Sequence, residues 1–389
     1  MAFSLPQRLA SLPPYLFIDI DRKRRAALAA GHDVINFGVG DPDQPTPGFI
    51  IDRLQRAVRD PVHHRYPPDG GLPEFRQEAA DFFRRRYGVD LDPEREVLGL
   101  VGSKEGLGHL PLAVVEPGQR VLIPDPAYPV YRAATLFAGG LPYAMQLSAE
   151  NDWLPQFDAI PAEVARAAVL MFLNYPNNPT GAVAPRTFFE RAVEFARRHD
   201  LVLAHDAAYS EVYLGSERPP SVLEVEGARD IAVEFHSLSK TFNMTGWRLG
   251  FAAGRPDVLA ALAKVKANLD SGAFGAIQEA GIEAYAGIDR PEIAATRELY
   301  RQRAEVLCAG LRSIGFRVDA PKATFYVWAG VPPGYDGMQV ANKLLDEAFV
   351  VCIPGIGFGE GAADYVRFAL TVDTDRIATA IARLRKLHW

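Results

Sequence analysis

Cysteine is nearly absent from this chain: Cys308 and Cys352 are the only two in 389 residues. Neither sits in a metal-like spacing and two thiols make no disulfide framework, so the expectation is a reducing cytoplasm. Long apolar runs are missing as well, and none approaches the roughly 20 residues that a membrane helix needs. The opening stretch, MAFSLPQRLASLPPYLF, lacks the charged start and continuous apolar centre of a secretory signal. Positive charge is not in excess either. Lys plus Arg minus Asp plus Glu is 42 − 48 = −6, which argues against a broad nucleic-acid footprint. The basic run Asp21-Arg22-Lys23-Arg24-Arg25 reads as a solvated helix face. No G-x-G-x-x-G opens the first βα unit, so a nicotinamide-binding enzyme is disfavoured. Internal repeats and low-complexity tracts are absent too.

What the chain has in quantity is punctuation: 30 prolines and 33 glycines, with short apolar pieces between them. Strands are predicted at 97–101, 120–124, 169–173, 201–204, 231–236 and 251–254, with helices at 128–137 and 186–198 between them. Short apolar strands alternating with helices indicate βαβ units, an α/β class and a mainly parallel, doubly wound sheet. From about residue 271 the pattern changes to long helices (279–286, 291–313) followed by strand-like pieces, which predicts a smaller α+β domain. In parallel sheets ligands collect beyond the carboxyl ends of the strands. Four polar clusters follow predicted strands: 102–106, 174–181, 206–209 and 237–240. One shared site is the expectation.

The stretch SLSKTFNMTGWRLGF, from Ser237 to Phe251, carries the sharpest chemistry. A bare ammonium at Lys240 would be costly to bury, but an amine can lose its proton or form an imine with a carbonyl. Ser237, Ser239 and Arg248 are donors of the kind that hold phosphate. An aldehyde bearing a phosphate would account for all four residues, although a lysine that merely snorkels from a loop is the plainer alternative. Asp206 could hold the proton of a pyridine nitrogen, or it could simply cap a helix. Tyr209 could donate to a phenolic oxygen, or serve as a core tyrosine. The run NYPNNPTG (174–181) is a turn that also offers amide donors. GSKEG (102–106) opens a helix whose first N–H groups could cradle phosphate.

These residues resemble the fold-type I pyridoxal-phosphate aminotransferases, the class that includes aspartate aminotransferase, and within it the LL-diaminopimelate branch. LPPYLF, GVGDPDQPTP, YPPDGGLPEFR, GSKEG, DPAYPVY, FLNYPNNPTG, HDAAYSEV, EFHSLSKTFNMTGWRLGF, PKATFYVW and PGIGFGEG carry the likeness over nearly the whole chain. The order and spacing of Asn178, Asp206, Tyr209, Lys240 and Arg248 are its specific part. The resemblance implies that Lys240 bonds the cofactor aldehyde and later moves the substrate proton. It implies that Asp206 holds the pyridinium proton, that Asn178 and Tyr209 bind the phenolic oxygen, and that Tyr128 stacks on the ring. Phosphate would lie among Ser103, Lys104, Ser237, Ser239 and Arg248, with Tyr66 reaching the phosphate of a neighbouring subunit in a homodimer. Arg367 would grip the substrate α-carboxylate, with Gly40 and a partner's Tyr15 nearby, and Asp69 would face the distal ammonium of diaminopimelate. Gly275 falls where plant members carry an asparagine near the phosphate.

The implied organisation is an N-terminal arm with part of the small domain over 1–44, a large cofactor domain over 45–285, and a small C-terminal domain over 286–389. The implied activity is transfer of an amino group between LL-2,6-diaminopimelate and 2-oxoglutarate in lysine synthesis, without a metal. A broad aspartate or aromatic aminotransferase and a carbon–sulfur β-lyase would share the cofactor residues and stay open.

Overall fold

The computed structural model describes residues 4–12 and 17–389. Seven strands form its main sheet, in the order Val97–Leu100, Gly250–Gly254, Ala232–Ser237, Val202–Asp206, Ala168–Asn174, Arg120–Asp125 and Leu141–Gln146. Only Gly250–Gly254 runs against its neighbours. The expected mainly parallel α/β sheet is therefore what forms.

Side-chain alternation explains the layering. In the strand AVLMFLN, apolar up to its final asparagine, Leu170 and Phe172 enter one core while Met171 and Leu173 enter the other. Helices Ser103–Val114, Val130–Phe137 and Pro256–Leu269 cover the first face. Helices Pro73–Tyr87, Arg186–Arg198 and Gly275–Ala286 cover the second. The helix RTFFERAVEFARR shows how this arises: Phe188, Phe189, Ala192, Val193, Phe195 and Ala196 are buried, and its arginines and glutamates face outward. Leu141–Gln146 was not legible as a strand because its residues are mixed in polarity and include Pro142. As the edge strand it tolerates a proline, which offers no N–H to a ladder.

The C-terminal part forms a four-stranded antiparallel sheet, Ile353–Pro354, Tyr365–Ala369, Tyr326–Gly330 and Arg317–Val318. Helices Pro291–Arg312, Gly337–Ala348 and Thr374–Leu384 contribute to its core. The N-terminal pair Ile35–Asn36 lies parallel to Val350–Val351 and sends Ile35 and Phe37 into that same core. Part of the basic run is bonded rather than freely solvated: Lys23 donates to Asn342 across 2.6 Å and meets Asp346 at 3.3 Å. Among the described residues no helix is long and apolar enough to cross a membrane.

Within the main sheet, on strand Ala232–Ser237, lies a wholly buried carboxylate, Glu234. Burial opposes its charge, but hydrogen bonds from His205 (3.0 Å) and His236 (2.7 Å) hold it well below the usual carboxylate range. The Ser221 hydroxyl and the Val222 N–H, each at 2.8 Å, complete its partners.

Candidate active site

The parallel strands end on one edge of the main sheet. Asp206 is the last residue of Val202–Asp206 and is buried there. The Tyr131 hydroxyl donates to one of its oxygens at 2.7 Å, and the Ala208 N–H donates to the other at 3.2 Å. Burial pushes the Asp206 pKa up, and the Tyr131 hydrogen bond opposes that shift. Asn174, ending the neighbouring strand, donates to the Asp206 backbone carbonyl at 2.8 Å and accepts the Asn178 N–H at 2.9 Å. The turn after it thus presents the Asn178 side chain, whose oxygen accepts from the Arg367 guanidinium at 2.8 Å.

Lys240 lies in the short helix Leu238–Thr241, which opens on Ser237 with the Ser237 hydroxyl accepting the Ser239 N–H at 3.2 Å. The lysine ammonium donates to the Gly40 carbonyl at 3.0 Å and lies 5.6 Å from the Phe325 ring centroid. Burial lowers its pKa. Tyr326 and Asp41 oppose the shift, and the Arg248 and Arg367 charges add to it. A lysine whose neutral form is favoured in this way is suited to act as nucleophile or base.

Beside it the backbone builds an anion cradle. Gly102 precedes helix Ser103–Val114 at φ 79°, a conformation that glycine adopts without strain. A Cβ there would stand 2.4 Å from an Arg248 guanidinium nitrogen, so the arginine approaches the helix start closely. Arg248 donates to the Ser239 hydroxyl at 3.3 Å and to the Thr245 carbonyl at 2.8 Å. Gly250 brings the pieces together: it pairs with Ser237, and a Cβ on it would lie 2.8 Å from the Ser103 nitrogen. The first N–H groups of a helix, two buried serines and a guanidinium are the kinds of donor that a phosphate would require.

The other anticipated residues divide. Gly40 is at the site, and a Cβ on it would lie 1.9 Å from the Tyr326 hydroxyl. Tyr209 is buried with its hydroxyl 3.1 Å from that of Tyr326, and Tyr128 lies edge-on to Tyr131 with ring centroids 5.9 Å apart. Lys104 points its side chain to solvent. Tyr66 is 87% exposed, and Asp69 is exposed in a turn closed by Gly71 N–H to the Pro68 carbonyl at 2.9 Å. Tyr15 lies outside the described residues. Sequence reasoning missed Tyr131, Asn174 and Tyr326. Each lies within a stretch that carried the resemblance, but only the fold brings it against a site residue.

A cluster of Glu105, His109 and Asp270 could coordinate a metal by distance alone. The Lys266 ammonium already lies between the two carboxylates, at 2.9 Å from Glu105 and 3.1 Å from Asp270, and supplies the cation. Glu105 also accepts the Val101 N–H at 3.1 Å, which steadies the turn that carries the cradle.

Residues 32–384 match the family described as aminotransferase class I and II. The chain belongs to that family. It is similar to the LL-diaminopimelate aminotransferase of Syntrophobacter fumaroxidans, 54% identical over the whole of both chains. The protein of that name from Aquifex aeolicus is 49% identical over 99% of each. Among solved structures, substrate-bound BacF from Bacillus subtilis superposes with a TM-score of 0.94 at 36% identity, covering 99% of this chain and 98% of that one. A probable N-succinyldiaminopimelate aminotransferase from Thermus thermophilus gives 0.91 at 37%, covering 95% and 99%.

This aminotransferase is a pyridoxal-phosphate-dependent enzyme, and its residues fit that cofactor. Gly102, Ser103, Ser239 and Arg248 would suit its phosphate, and the buried Asp206 is a carboxylate of the kind a pyridinium nitrogen requires. When bound, the cofactor supplies a carbonyl for the amine and an aromatic ring that withdraws electrons from the substrate carbon. The aminotransferase supplies the rest: orientation, fixed charge and a lysine whose proton affinity is lowered by burial.

Proposed function

We propose that this aminotransferase takes its amino group from LL-2,6-diaminopimelate and passes it to 2-oxoglutarate, in the synthesis of lysine. The reading rests on one observation above the others: identity near one half over the full length of relatives that carry that name. Lys240 is assigned the covalent link to the cofactor and the proton transfer at the substrate carbon. Asp206 holds the pyridine-nitrogen proton, Asn178 and Tyr209 meet the phenolic oxygen, and Tyr128 faces the ring. Ser103, Lys104 through its backbone, Ser237, Ser239 and Arg248 take the phosphate. Arg367 takes the substrate carboxylate. Its guanidinium bonds Asn178 and the Gly38 carbonyl, and its Nε is buried with no partner, which leaves it able to donate. Asp69 is assigned to the distal ammonium, and Gly40 lines the substrate side.

We further propose a cytoplasmic homodimer with shared sites. Tyr66 (87% exposed), Val62 (62%), Leu269 (59%) and Phe274 (40%) are large apolar side chains left in water. The segments that carry them touch: Gly275 lies against His63 and Gly272 against Pro67. A second copy covering this patch would bring Tyr66 towards its partner's phosphate site, and Tyr15, outside the described residues, is assigned to the partner's substrate side. The division into 1–44, 45–285 and 286–389 is offered with the same reading, since two separate main-sheet cores and one C-terminal core underlie it.

The deciding experiment mixes cofactor-loaded protein with LL-diaminopimelate, and separately with aspartate, without any oxo acid. Conversion of the cofactor to its amine form by diaminopimelate alone supports the proposal. Conversion by aspartate at an equal rate replaces it with a broad-specificity enzyme, and release of pyruvate from cysteine-like donors replaces it with a β-lyase.

A further inference from the structure

Tyr326 belongs to no motif whose role has been assigned above, yet it touches three residues of the site. It begins strand Tyr326–Gly330 and is buried. Its hydroxyl lies 3.1 Å from that of Tyr209. The same hydroxyl approaches Gly40 so closely that a Cβ there would stand 1.9 Å away. Gly40 is the residue whose carbonyl accepts from Lys240. On the other side, the Arg367 guanidinium carbon lies 4.1 Å from the Tyr326 ring centroid and 4.6 Å from that of Phe358, so the cation is held between two aromatic faces. Strand pairing explains this contact: Arg367 lies opposite Trp328, and Tyr326 is its diagonal neighbour on the same face.

The backbone leading to Tyr326 is itself unusual. Thr324, fully buried, sits at φ 67°, a region that β-branched residues rarely adopt. Its N–H donates to the Val212 carbonyl at 2.7 Å, and its hydroxyl accepts the Tyr326 N–H at 3.1 Å. Strain of this sort persists where surrounding contacts over-determine a conformation, and here it sets the entry of Tyr326 into its strand.

We propose that Tyr326 is a positioning residue of the aminotransferase site, its ring orienting Arg367 for the substrate carboxylate and its hydroxyl orienting the Tyr209 hydroxyl. This rests on the roles proposed for Arg367 and Tyr209. Two hydroxyls at hydrogen-bond distance share one proton between them. When Tyr326 donates, the Tyr209 proton is free to point at a cofactor oxygen; when Tyr209 donates, it is not. A phenolic oxygen arriving at Tyr209 therefore selects the chain Tyr326 to Tyr209 to cofactor, and each bond in such a chain polarises the next. The two functions sit on different atoms of one side chain, so they can be removed separately.

Tyr326→Phe keeps the ring and deletes the hydroxyl, and Tyr326→Leu deletes both. The holoenzyme of each is measured for kcat, for KM of the amino donor and of 2-oxoglutarate, for the pH midpoint of the cofactor's visible absorbance, and for Tm. For Tyr326→Phe we expect a displaced absorbance midpoint and kcat lower by about tenfold, the worth of one hydrogen bond, with KM nearly unchanged. For Tyr326→Leu we expect, in addition, KM higher by roughly tenfold for both substrates, because both carboxylates enter the same clamp. Gly40→Ala, which pushes on the hydroxyl without altering the tyrosine, should reproduce the absorbance change of Tyr326→Phe. Tyr209→Phe is the control. A midpoint that moves in Tyr209→Phe but not in Tyr326→Phe overturns the hydroxyl role alone. If it moves in neither, the role proposed for Tyr209 fails and the hydroxyl role falls with it. An unchanged KM in Tyr326→Leu overturns the ring role, and a lower Tm as the sole change in both variants reduces Tyr326 to a core residue.

Discussion

The Arg367 guanidinium donates to the Asn178 side-chain oxygen at 2.8 Å, across 189 positions of sequence. That single bond joins the C-terminal sheet to a turn at the edge of the main sheet, and it links the proposed carboxylate clamp to the proposed phenolic-oxygen contact. A lysine at 367 would keep the charge but could not make the fork that meets a carboxylate with two parallel bonds. Arg367→Lys is expected to lower kcat/KM by about 10²-fold, mostly through KM, since breaking a buried charged pair costs about 2–5 kcal/mol. Steady-state kinetics against both substrates check this. An unaltered KM would remove Arg367 from the clamp.

Tyr131 makes the side-chain hydrogen bond that opposes the burial of Asp206. Without that donor the Asp206 pKa rises further, and the carboxylate becomes easier to neutralise. Tyr131→Phe should therefore weaken cofactor retention and slow turnover by about tenfold, a loss of about 1.5 kcal/mol as for a hydrogen bond to a charged group. The loss should deepen as pH falls, because a raised carboxylate pKa brings protonation closer to neutrality. Equilibrium dialysis of the cofactor between pH 5.5 and 8.5 would show it, and a pH-independent loss would contradict the argument.

Lys240 can be tested without turnover. Burial lowers its pKa in the folded apoprotein. Below that lowered pKa the folded chain carries a disfavoured charge; above the usual lysine value near 10.4 the penalty is gone. The unfolded chain binds the extra proton between the two values, so apoprotein stability should rise with pH across that window. Lys240→Met removes the group, so its apoprotein should melt higher than wild type at pH 7, with the gap closing as pH approaches 10.4. Calorimetry of both apoproteins decides the matter, and an equal Tm at pH 7 would contradict the burial cost. The variant should also lack the visible absorbance of lysine-linked cofactor and show no transamination.

Gly102 tests the anion cradle. Its φ of 79° and the Arg248 nitrogen 2.4 Å from a would-be Cβ oppose any side chain. Gly102→Ala should displace Arg248 and weaken cofactor binding by about tenfold, with a loss of about 1 kcal/mol in stability from the left-handed backbone. Titration of the apoprotein with pyridoxal phosphate measures the first effect and urea unfolding the second. Retention equal to wild type would mean that the phosphate lies elsewhere.

The sheet was legible because its strands are short and apolar and are flanked by glycine and proline. The helix Arg186–Arg198 was read to its exact ends from its periodicity. The edge strand Leu141–Gln146 was not, since a half-polar strand carrying Pro142 looks like a loop until a neighbour pairs with it. Lys240, Asp206 and Arg248 stood out because a lysine, an aspartate and an arginine beside apolar strands demand partners. Tyr131 and Tyr326 did not, because a tyrosine in an apolar stretch is as plausible in a core as in a site.

The sequence by itself determined the alternation of strand and helix, the polar clusters at the strand ends and the chemistry those side chains can support. These follow from local periodicity and residue type. Tertiary structure alone decided which clusters meet: that Tyr131 donates to Asp206, that Arg367 reaches Asn178, that Gly40 leaves room for Tyr326, and that Lys240 is buried deeply enough for its proton affinity to fall. Those relationships join residues from 75 to 286 positions apart, brought together by strand order and domain packing, on which local propensity is silent.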